Sequence, residues 1–259
     1  MDGRMKILVC IKQVADAESR FHIAPGGSRI LFDPGAVYRM NRYDEFALEE
    51  ALRVKDAAPD TLVHAVSLGP PRAESTLRRA LEMGAHDAFR IEGDDEGVMP
   101  ALWKARMIAA WAVTCGYDLV LAGVMSEDSM SCQFAPALAE YMGAASATGV
   151  MEIAIAPAGG RVTVGREIDS NTREIVELSL PAVLAVQSGI NRPRYPSLSN
   201  VLRAKERMIT TVRSDTPAGP DQDIRYHEAP RGREGRILAG SPAEKAAALC
   251  DFFHEVSLL

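Results

Sequence analysis

The sequence predicts a doubly wound α/β fold, in which a parallel sheet carries helices on both faces. Three features of the 259-residue chain indicate this. Short apolar runs recur along the first half, each run is apolar throughout like a strand buried on both faces, and segments with helical periodicity separate the runs. Such alternation is typical of Rossmann-like sheets.

The first half of the chain supplies four strands and the helices that connect them. We predict strands over residues 5–11 (MKILVCI), 61–69 (TLVHAVSLG), 87–91 (DAFRI) and 117–123 (YDLVLAG). A helix begins between Asn41 and Asp44, where acidic residues occupy the first turns, and a second helix ends at Gly84. A third helix stops near Gly116, and a fourth covers PALAEYMGA.

The pattern changes after residue 148. Short strands separated by Gly-Gly and Asp-Ser-Asn turns predict antiparallel hairpins added to the main sheet. A loop rich in Pro and Arg then enters a short helix. Residues 211–240 are polar without a clear period, and Ser241 caps a last amphipathic helix with Pro242 in its first turn. We therefore predict an α/β domain over 1–210 and a C-terminal arm over 211–259 that lies on another surface.

Composition and charge exclude several classes of function. The chain has 35 acidic and 29 basic residues, a net charge of -6 and no long Lys/Arg block, so nucleic acid is not an expected partner. The four cysteines are scattered without metal-ligand spacing and are expected to be reduced thiols. No apolar stretch reaches the roughly 20 residues of a membrane span. We expect a cytoplasmic protein without direct membrane insertion.

The fold class predicts where a ligand binds. In an open parallel sheet, ligands bind beyond the carboxyl ends of the strands, where the strand order reverses. Here those ends carry residues 10–13, 67–69 and the bend GVMSEDSMSCQF from Gly123 onward. The bend holds no basic residue, but backbone N–H groups and a helix N-terminus are able to bind phosphate without one. The side chains available for ribose and phosphate are Ser126, Asp128, Ser129, Ser131 and Gln133.

A plainer interpretation of the same bend is helix capping. Helix starts rich in Ser and Asp are common, and spacing alone favours capping over binding. Neither GxGxxG nor GxxxxGK[ST] is present. Catalytic residues are not predicted: His64 lies in an apolar strand pattern as a core residue would, and Cys132 has no histidine near it in sequence. A self-contained hydrolase is not favoured.

Five segments together resemble the β subunit of electron transfer flavoprotein. They run from Met5 to Lys205 in the family's order: MKILVCIKQVAD, NRYDEFALEEALRVKD, AVSLGPPRAESTLRRALEMGAHDA, YDLVLAG and LPAVLAVQSGINRPRYPSLSNVLRAKE. Each segment is modest alone, but the ordered set is specific. The resemblance implies a fold like that of the adenine nucleotide alpha hydrolases.

The resemblance also implies a partner and a cofactor. Family members form a heterodimer with an α subunit that carries a redox FAD, and the dimer transfers electrons from flavin dehydrogenases, such as an acyl-CoA dehydrogenase, to an acceptor. The β subunit binds AMP or, in electron-bifurcating members, a second FAD. Carried over by position, the nucleotide site comprises Cys10, Asn41, Asp44, Ser67, Leu68 and the bend from Gly123 to Gln133, with Ser126, Asp128, Ser129, Ser131 and Cys132.

The sequence departs from the family's pattern in the bend. Met130 replaces the second acid, whereas Ser131 keeps a hydroxyl where the bifurcating pattern has threonine. The closing segment ILAGSPAEKAAALCDFFHEV resembles the longer bifurcating or nitrogen-fixation tails and favours FAD. Tyr43 stands where the family places an aromatic residue beside the α-subunit flavin, and an ordinary half-buried aromatic residue explains it equally well.

The resemblance places a partner-recognition segment near 194–206. Leu198 matches the leucine that inserts into a dehydrogenase pocket, although Ser199 replaces the usual proline. Its expected neighbours are Asn200, Val201, Arg203 and Lys205. A helix packed on its own domain is the alternative. For the whole chain, the alternatives are a stand-alone adenine-nucleotide sensor or hydrolase, which needs a basic residue or metal ligand at the phosphate, and a structural partner whose site decayed at Met130.

Overall fold

The computed structural model describes residues 4–93, 99–155, 160–169, 172–214, 224–228, 235 and 237–256. Contacts divide the chain into two compact units, 1–226 and 227–259. The sheet and all but the last helix belong to the first unit. Strand β13, residues 209–212, crosses the domain boundary expected at 210.

The described strands and helices follow in chain order. The strands are β1 (Lys6–Cys10), β2 (Gln13–Ala15), β3 (Phe21–Ile23), β4 (Ile30–Phe32), β5 (Tyr38–Met40), β6 (Leu62–Gly69), β7 (Asp87–Glu92), β8 (Leu119–Gly123), β9 (Ala145–Ile155), β10 (Arg161–Asp169), β11 (Thr172–Ser179), β12 (Ala182–Val186) and β13 (Ile209–Val212). The helices are α1 (Arg42–Ala57), α2 (Glu74–Met83), α3 (Ala101–Cys115), α4 (Phe134–Met142), α5 (Leu198–Glu206) and α6 (Pro242–Glu255).

Nine strands form one sheet in the order β11-β10-β9-β12-β8-β1-β6-β7-β13. Along this order, all neighbouring strands in the part β9-β12-β8-β1-β6-β7-β13 are parallel. Strand β10 runs antiparallel to both β9 and β11. The chain passes from β1 to β6 and β7 on one side and then returns to place β8 on the other side. The strand order therefore reverses between β1 and β8, and the predicted α/β class with added hairpins is confirmed.

Alternate residues of the central strands build two separate apolar layers. Ile7 and Val9 of β1 pack with residues of α1 and α2, while Leu8 and Cys10 pack with residues of α3 and α4. Because both faces of the sheet are covered, β1 and β8 are buried along almost their whole length. This explains the unbroken apolar runs in the sequence.

Two parts of the fold were not predicted. Residues 16–40, where no element was predicted, contain the β3–β4 hairpin, and β5 pairs with β2. The polar segment expected after 210 begins inside β13, which extends the sheet beside β7. Gly159 of the Gly-Gly turn, and Ser170 and Asn171 of the Asp-Ser-Asn turn, lie outside the described residues.

The second unit contains the predicted C-terminal helix. Ser241 and Glu244 form a capping box at the start of α6, with Pro242 in the first turn. Of the helices that the structure describes, none combines the length and apolar character that a bilayer span requires.

Candidate functional site

A cavity of about 480 Å³ lies at the carboxyl ends of β1, β6 and β8, beside the reversal of strand order. Its volume falls in the range of roughly 300 to 1,000 Å³ that is usual for small-molecule sites. Helices α3 and α4, the β3–β4 hairpin and the bend after β8 supply its walls. This is the place that the fold class predicts for a ligand.

The start of α1 fixes the bend in position. Asn41 donates from Nδ2 to the carbonyl of Met125 at 2.9 Å and accepts at Oδ1 from the N–H of Glu127 at 3.1 Å. Asp44 accepts from the N–H of Gly123 at 2.9 Å and from the N–H of Lys12 at 2.7 Å. One carboxylate thus joins the ends of β1 and β8.

Close packing at this point requires glycine at position 123. A Cβ there would lie 2.5 Å from the Cβ of Tyr43 and 2.6 Å from Oδ1 of Asp44. These distances are shorter than carbon contacts allow, so the first turn of α1 reaches the end of β8 only because residue 123 has no side chain.

Burial sets the protonation of two groups beneath the cavity. It raises the pKa of Asp44 to about 7, because the loss of solvation outweighs the two N–H donors that favour the ionised carboxylate. Burial, followed by the nearby Asp44 carboxylate, raises the pKa of the Cys10 thiol far above its usual range. Cys10 is therefore a neutral thiol and a weak nucleophile.

The bend has no basic residue of its own, but Lys12 reaches it from the end of β1. The Lys12 ammonium donates to Oδ1 of Asp128 at 2.6 Å and to the hydroxyl of Ser126 at 3.2 Å. Ser126 and Ser129 share a further hydrogen bond of 2.8 Å. Burial raises the pKa of Asp128, but the Lys12 charge outweighs this effect and holds that pKa below its ordinary value.

The bend is also tied to β5 by an acidic residue that the sequence did not single out. Glu127 receives Nη1 and Nη2 of Arg39 at 2.8 and 3.1 Å, and the N–H of Arg42 at 3.2 Å. Burial raises the pKa of Glu127, but the hydrogen bond from Arg39 outweighs this effect, so the pKa lies below its ordinary value. The bend is therefore held as an ion-paired unit at both Glu127 and Asp128.

Helix capping does not account for this bend. Helix α4 begins at Phe134 after Gln133, and no side chain caps it. Asp128 pairs with Lys12 instead. Met130 and Cys132 have φ values of 48° and 53°, a left-handed conformation that is uncommon for residues other than glycine. Strained backbone of this kind concentrates at ligand sites.

Most of the predicted cofactor residues meet in the cavity wall. The wall includes Cys10, Asn41, Asp44, Leu68, Gly123, Ser126, Asp128, Ser129, Ser131, Cys132 and Gln133. Tyr43 and Ser67 are not part of it. Tyr43 is half-buried at the start of α1, and Ser67 is buried with no described partner for its hydroxyl.

Several wall residues were not predicted. They are basic or aromatic residues from outside the bend: Lys12, Arg72, Lys104, Phe32, Tyr38 and Tyr226. Arg72 lies over the Tyr38 ring, 3.7 Å from its centroid, and donates to Oε1 of Gln13. The position of Lys12 just after the first strand could have indicated that it lines the site. No sequence pattern indicated the same for Lys104.

His64, predicted to be a core residue, is a hydrogen-bonded residue of β6. Its Nδ1 lies 3.0 Å from the hydroxyl of Tyr117, and its Nε2 lies 3.6 Å from the carboxylate of Asp87. Burial lowers the pKa of His64. It does not line the cavity.

The segment expected to recognise a partner forms α5. Ser197 caps the helix by accepting from the N–H of Asn200, and Arg203 donates to Oδ1 of Asn200 at 2.6 Å. Leu198 is 76% exposed, Lys205 is exposed and Val201 is half-buried. Packing on its own domain therefore explains Val201 but leaves Leu198 facing solvent.

Comparison with known proteins gives the family. A family model described as the electron transfer flavoprotein domain matches residues 31–217. The chain belongs to the electron transfer flavoprotein family. The resemblance to its β subunit is confirmed, because relatives named electron transfer flavoprotein subunit beta match nearly the full length of the chain.

Three relatives of this electron transfer flavoprotein chain illustrate the match. The protein of Methylophilus methylotrophus is 31% identical, with 97% of this chain and 98% of the relative covered. That of Bacillus subtilis (strain 168) is 30% identical, with coverages of 95% and 96%. The Homo sapiens protein is 32% identical, with 82% of each chain covered.

Proposed function

We propose that this chain pairs with an FAD-bearing α subunit and that its own cavity holds an adenine nucleotide, either AMP or a second FAD. The dimer carries electrons from flavin dehydrogenases, such as an acyl-CoA dehydrogenase, to an acceptor. The observation that supports the nucleotide most directly is the cavity at the reversal of strand order, walled by a bend whose backbone is fixed through Asn41 and Asp44.

The residues present fit an adenine nucleotide. Ser126, Ser129 and Ser131 offer hydroxyl donors for phosphate or ribose oxygens, and Gln133 offers an amide. The absence of a side chain at Gly123 lets the backbone of the bend lie close to α1. A bound flavin supplies one- and two-electron transfer, and the chain's residues bind it, orient it and set its surroundings.

The substitution at Met130 does not argue for a decayed site. The Met130 side chain is 65% exposed and is not part of the cavity wall. Replacement of an acid there leaves the wall itself intact. The choice between AMP and FAD depends on the family features of the bend and tail, of which Ser131 and the closing segment favour FAD.

Exposed apolar residues support the proposed partners. Leu198, at 76% exposure, projects an apolar side chain between polar neighbours, as an interface anchor does. Leu249 and Phe252 of α6 and Val256 at its C-terminal cap are each more than 40% exposed and follow one another at helical spacing. We propose that α6 packs on the α subunit and that Leu198 inserts into the dehydrogenase.

The deciding experiment is to co-express the chain with the α subunit of the same organism, purify the complex, release the small molecules with acid, and count FAD and AMP per dimer. Two FAD would assign the second flavin to this cavity, and one FAD with one AMP would indicate a simple carrier. One FAD alone would favour the decayed site. A chain that purifies without an α subunit or flavin would overturn the proposal.

The same preparation tests the stand-alone sensor or hydrolase. That alternative needs a basic residue near the phosphate, and the structure provides Lys12 and Lys104 in the cavity wall. It predicts that the chain alone binds or hydrolyses adenine nucleotides as a homo-oligomer. Turnover of ATP or ADP by the isolated chain would favour it over the electron carrier.

A further inference from the structure

Lys104 projects from the first turn of α3 into the cavity wall. It lies with Met99, Pro100 and Ala101 on the wall, and its electrostatic neighbours are Lys12 and Asp128. Helix α3 is on the face of the sheet that contains Cys10, so Lys104 approaches the carboxyl ends of the strands from the side of that layer.

The carboxylates near Lys104 already have other hydrogen-bond partners. Asp128 is paired with Lys12 at 2.6 Å, and the Asp44 carboxylate receives two backbone N–H groups. Within the part of the chain that the structure describes, no hydrogen bond or ion pair of the Lys104 ammonium is found. Among the described residues, Lys104 therefore lines the cavity without a hydrogen-bonded or ion-paired carboxylate.

An ammonium in a cavity wall without a hydrogen-bonded anion is costly, because burial removes water without supplying a direct partner. Burial, followed by the neighbouring Lys12, lowers the pKa of Lys104 to about 8. Lysine residues that lack a partner and line a cleft are candidates for ligand binding. A phosphate oxygen provides the missing negative charge.

We propose that Lys104 binds the phosphate group of the nucleotide in this cavity, whose wall also contains Lys12 and the Ser126–Ser129 hydroxyl pair. This inference rests on the proposed function, since it assigns a residue to the same ligand. It adds a lysine of α3 to the serine hydroxyls and backbone N–H groups that the bend offers to phosphate. The ligand class is a phosphate monoester or diphosphate attached to a nucleoside.

The test compares AMP with adenosine, which differ only in the phosphate. The nucleotide-depleted α/β complex is titrated by calorimetry with each compound, using wild type, Lys104→Met, Lys104→Arg and Arg106→Met. Arg106 follows on the same helix and does not line the cavity, so it controls for the loss of one positive charge. Lys104→Met keeps the length of the side chain and removes a poorly solvated charge, which favours a folded variant.

We expect Lys104→Met to weaken AMP binding by roughly 10- to 100-fold, the usual effect of losing a hydrogen bond to a charged group. Adenosine binding stays within about twofold of wild type, Lys104→Arg retains part of the AMP affinity, and Arg106→Met matches wild type. At pH 8, AMP binding should take up protons in wild type and not in Lys104→Met, because an anion raises the pKa of the amine.

Two results would overturn the inference alone. One is unchanged AMP affinity in Lys104→Met, and the other is an equal loss for AMP and adenosine, which would indicate a packing defect. If the wild-type complex binds neither AMP nor FAD, the nucleotide site itself is refuted and the proposed function falls with it.

Discussion

The carboxylate of Glu49 receives three hydrogen bonds from Arg194. The Arg194 backbone N–H and its Nε bind Oε2 at 3.0 and 2.8 Å, and its Nη2 binds Oε1 at 2.9 Å. Nη2 also binds Asp56 at 2.7 Å. Hydrogen bonding to Glu49 raises the pKa of the Arg194 guanidinium above its ordinary value. The loop leading to α5 is thereby attached to α1.

Arg194→Ala should destabilise the fold and loosen the recognition segment. The substitution leaves the carboxylate of Glu49, which is 5% exposed, without its charged donors. We expect a loss of about 2 to 3 kcal/mol in the free energy of unfolding, measured by urea denaturation. Arg194→Lys should lose less, because it keeps the charge but not the two-pronged geometry.

Arg192→Ala is the matched control for that substitution. Arg192 is exposed two residues earlier and makes no ion pair with any residue that the structure describes. It should change stability by less than about 0.5 kcal/mol. Equal losses for Arg192→Ala and Arg194→Ala would show that the Glu49 contact does not attach this segment.

Asp44→Asn should change the pH dependence of stability. The folded pKa of about 7 lies above the ordinary value of 3.8, so the folded state binds more protons than the unfolded state between these values. Stability contributed by this group is therefore present at low pH and is lost as pH rises toward 7, by up to about 1.4 kcal/mol per pH unit.

Urea denaturation of wild type and Asp44→Asn from pH 4.5 to 8 measures that contribution. The variant should lose the downward slope, so the difference between the two proteins should shrink as pH rises. It should also be less stable at pH 5, because an amide nitrogen does not accept from one of the two N–H donors. Parallel pH profiles would refute the elevated pKa.

Gly123→Ala should disrupt the junction between β8 and α1. The added methyl would overlap the Cβ of Tyr43 and the carboxylate of Asp44. We expect the free energy of unfolding, measured by thermal denaturation, to fall by about 1 to 3 kcal/mol. The purified variant should also retain less nucleotide. Gly35→Ala is the control, since a Cβ at residue 35 meets nothing within 4 Å. Similar behaviour of the two variants would contradict the close packing at residue 123.

Leu198→Ala should weaken docking without affecting the fold. Because the side chain is 76% exposed, stability should change by less than about 0.5 kcal/mol. The KM for the complex as electron acceptor of its dehydrogenase should rise roughly 10- to 30-fold, as for truncation of an interface anchor. Ile175→Ala, at a site of 66% exposure on the edge strand β11, is the control. An unchanged KM would remove Leu198 from the interface.

The sequence predicted the parallel core because its central strands are apolar throughout and are separated by segments with helical periodicity. It did not predict β3, β4 and β5, since three residues are too few to show a period. Most of the ligand residues that it predicted at the carboxyl ends of the strands lie in the cavity wall. It did not show that the side chains of Asn41 and Asp44 form hydrogen bonds with backbone groups of other segments, because those partners are distant in the chain.

Lys12 and Lys104 were missed for a related reason. Inspection of the bend found no basic residue, but both lysines reach the cavity from other elements, one from the end of β1 and one from α3. Charge composition within one segment does not determine the charge of a site assembled from several. The cavity wall therefore contains basic side chains that the bend itself lacks.

Helix α1 contacts two distant parts of the chain in a fixed angular relationship. Its first turn positions the bend through Asn41 and Asp44, and Glu49 and Asp56 further along hold Arg194. Successive residues of an α-helix are rotated about its axis by about 100°. Insertion or deletion of a single residue between Asp44 and Glu49 would misalign one contact or the other. Length variation among natural or engineered homologues should therefore be absent from this stretch, even where its amino acids differ.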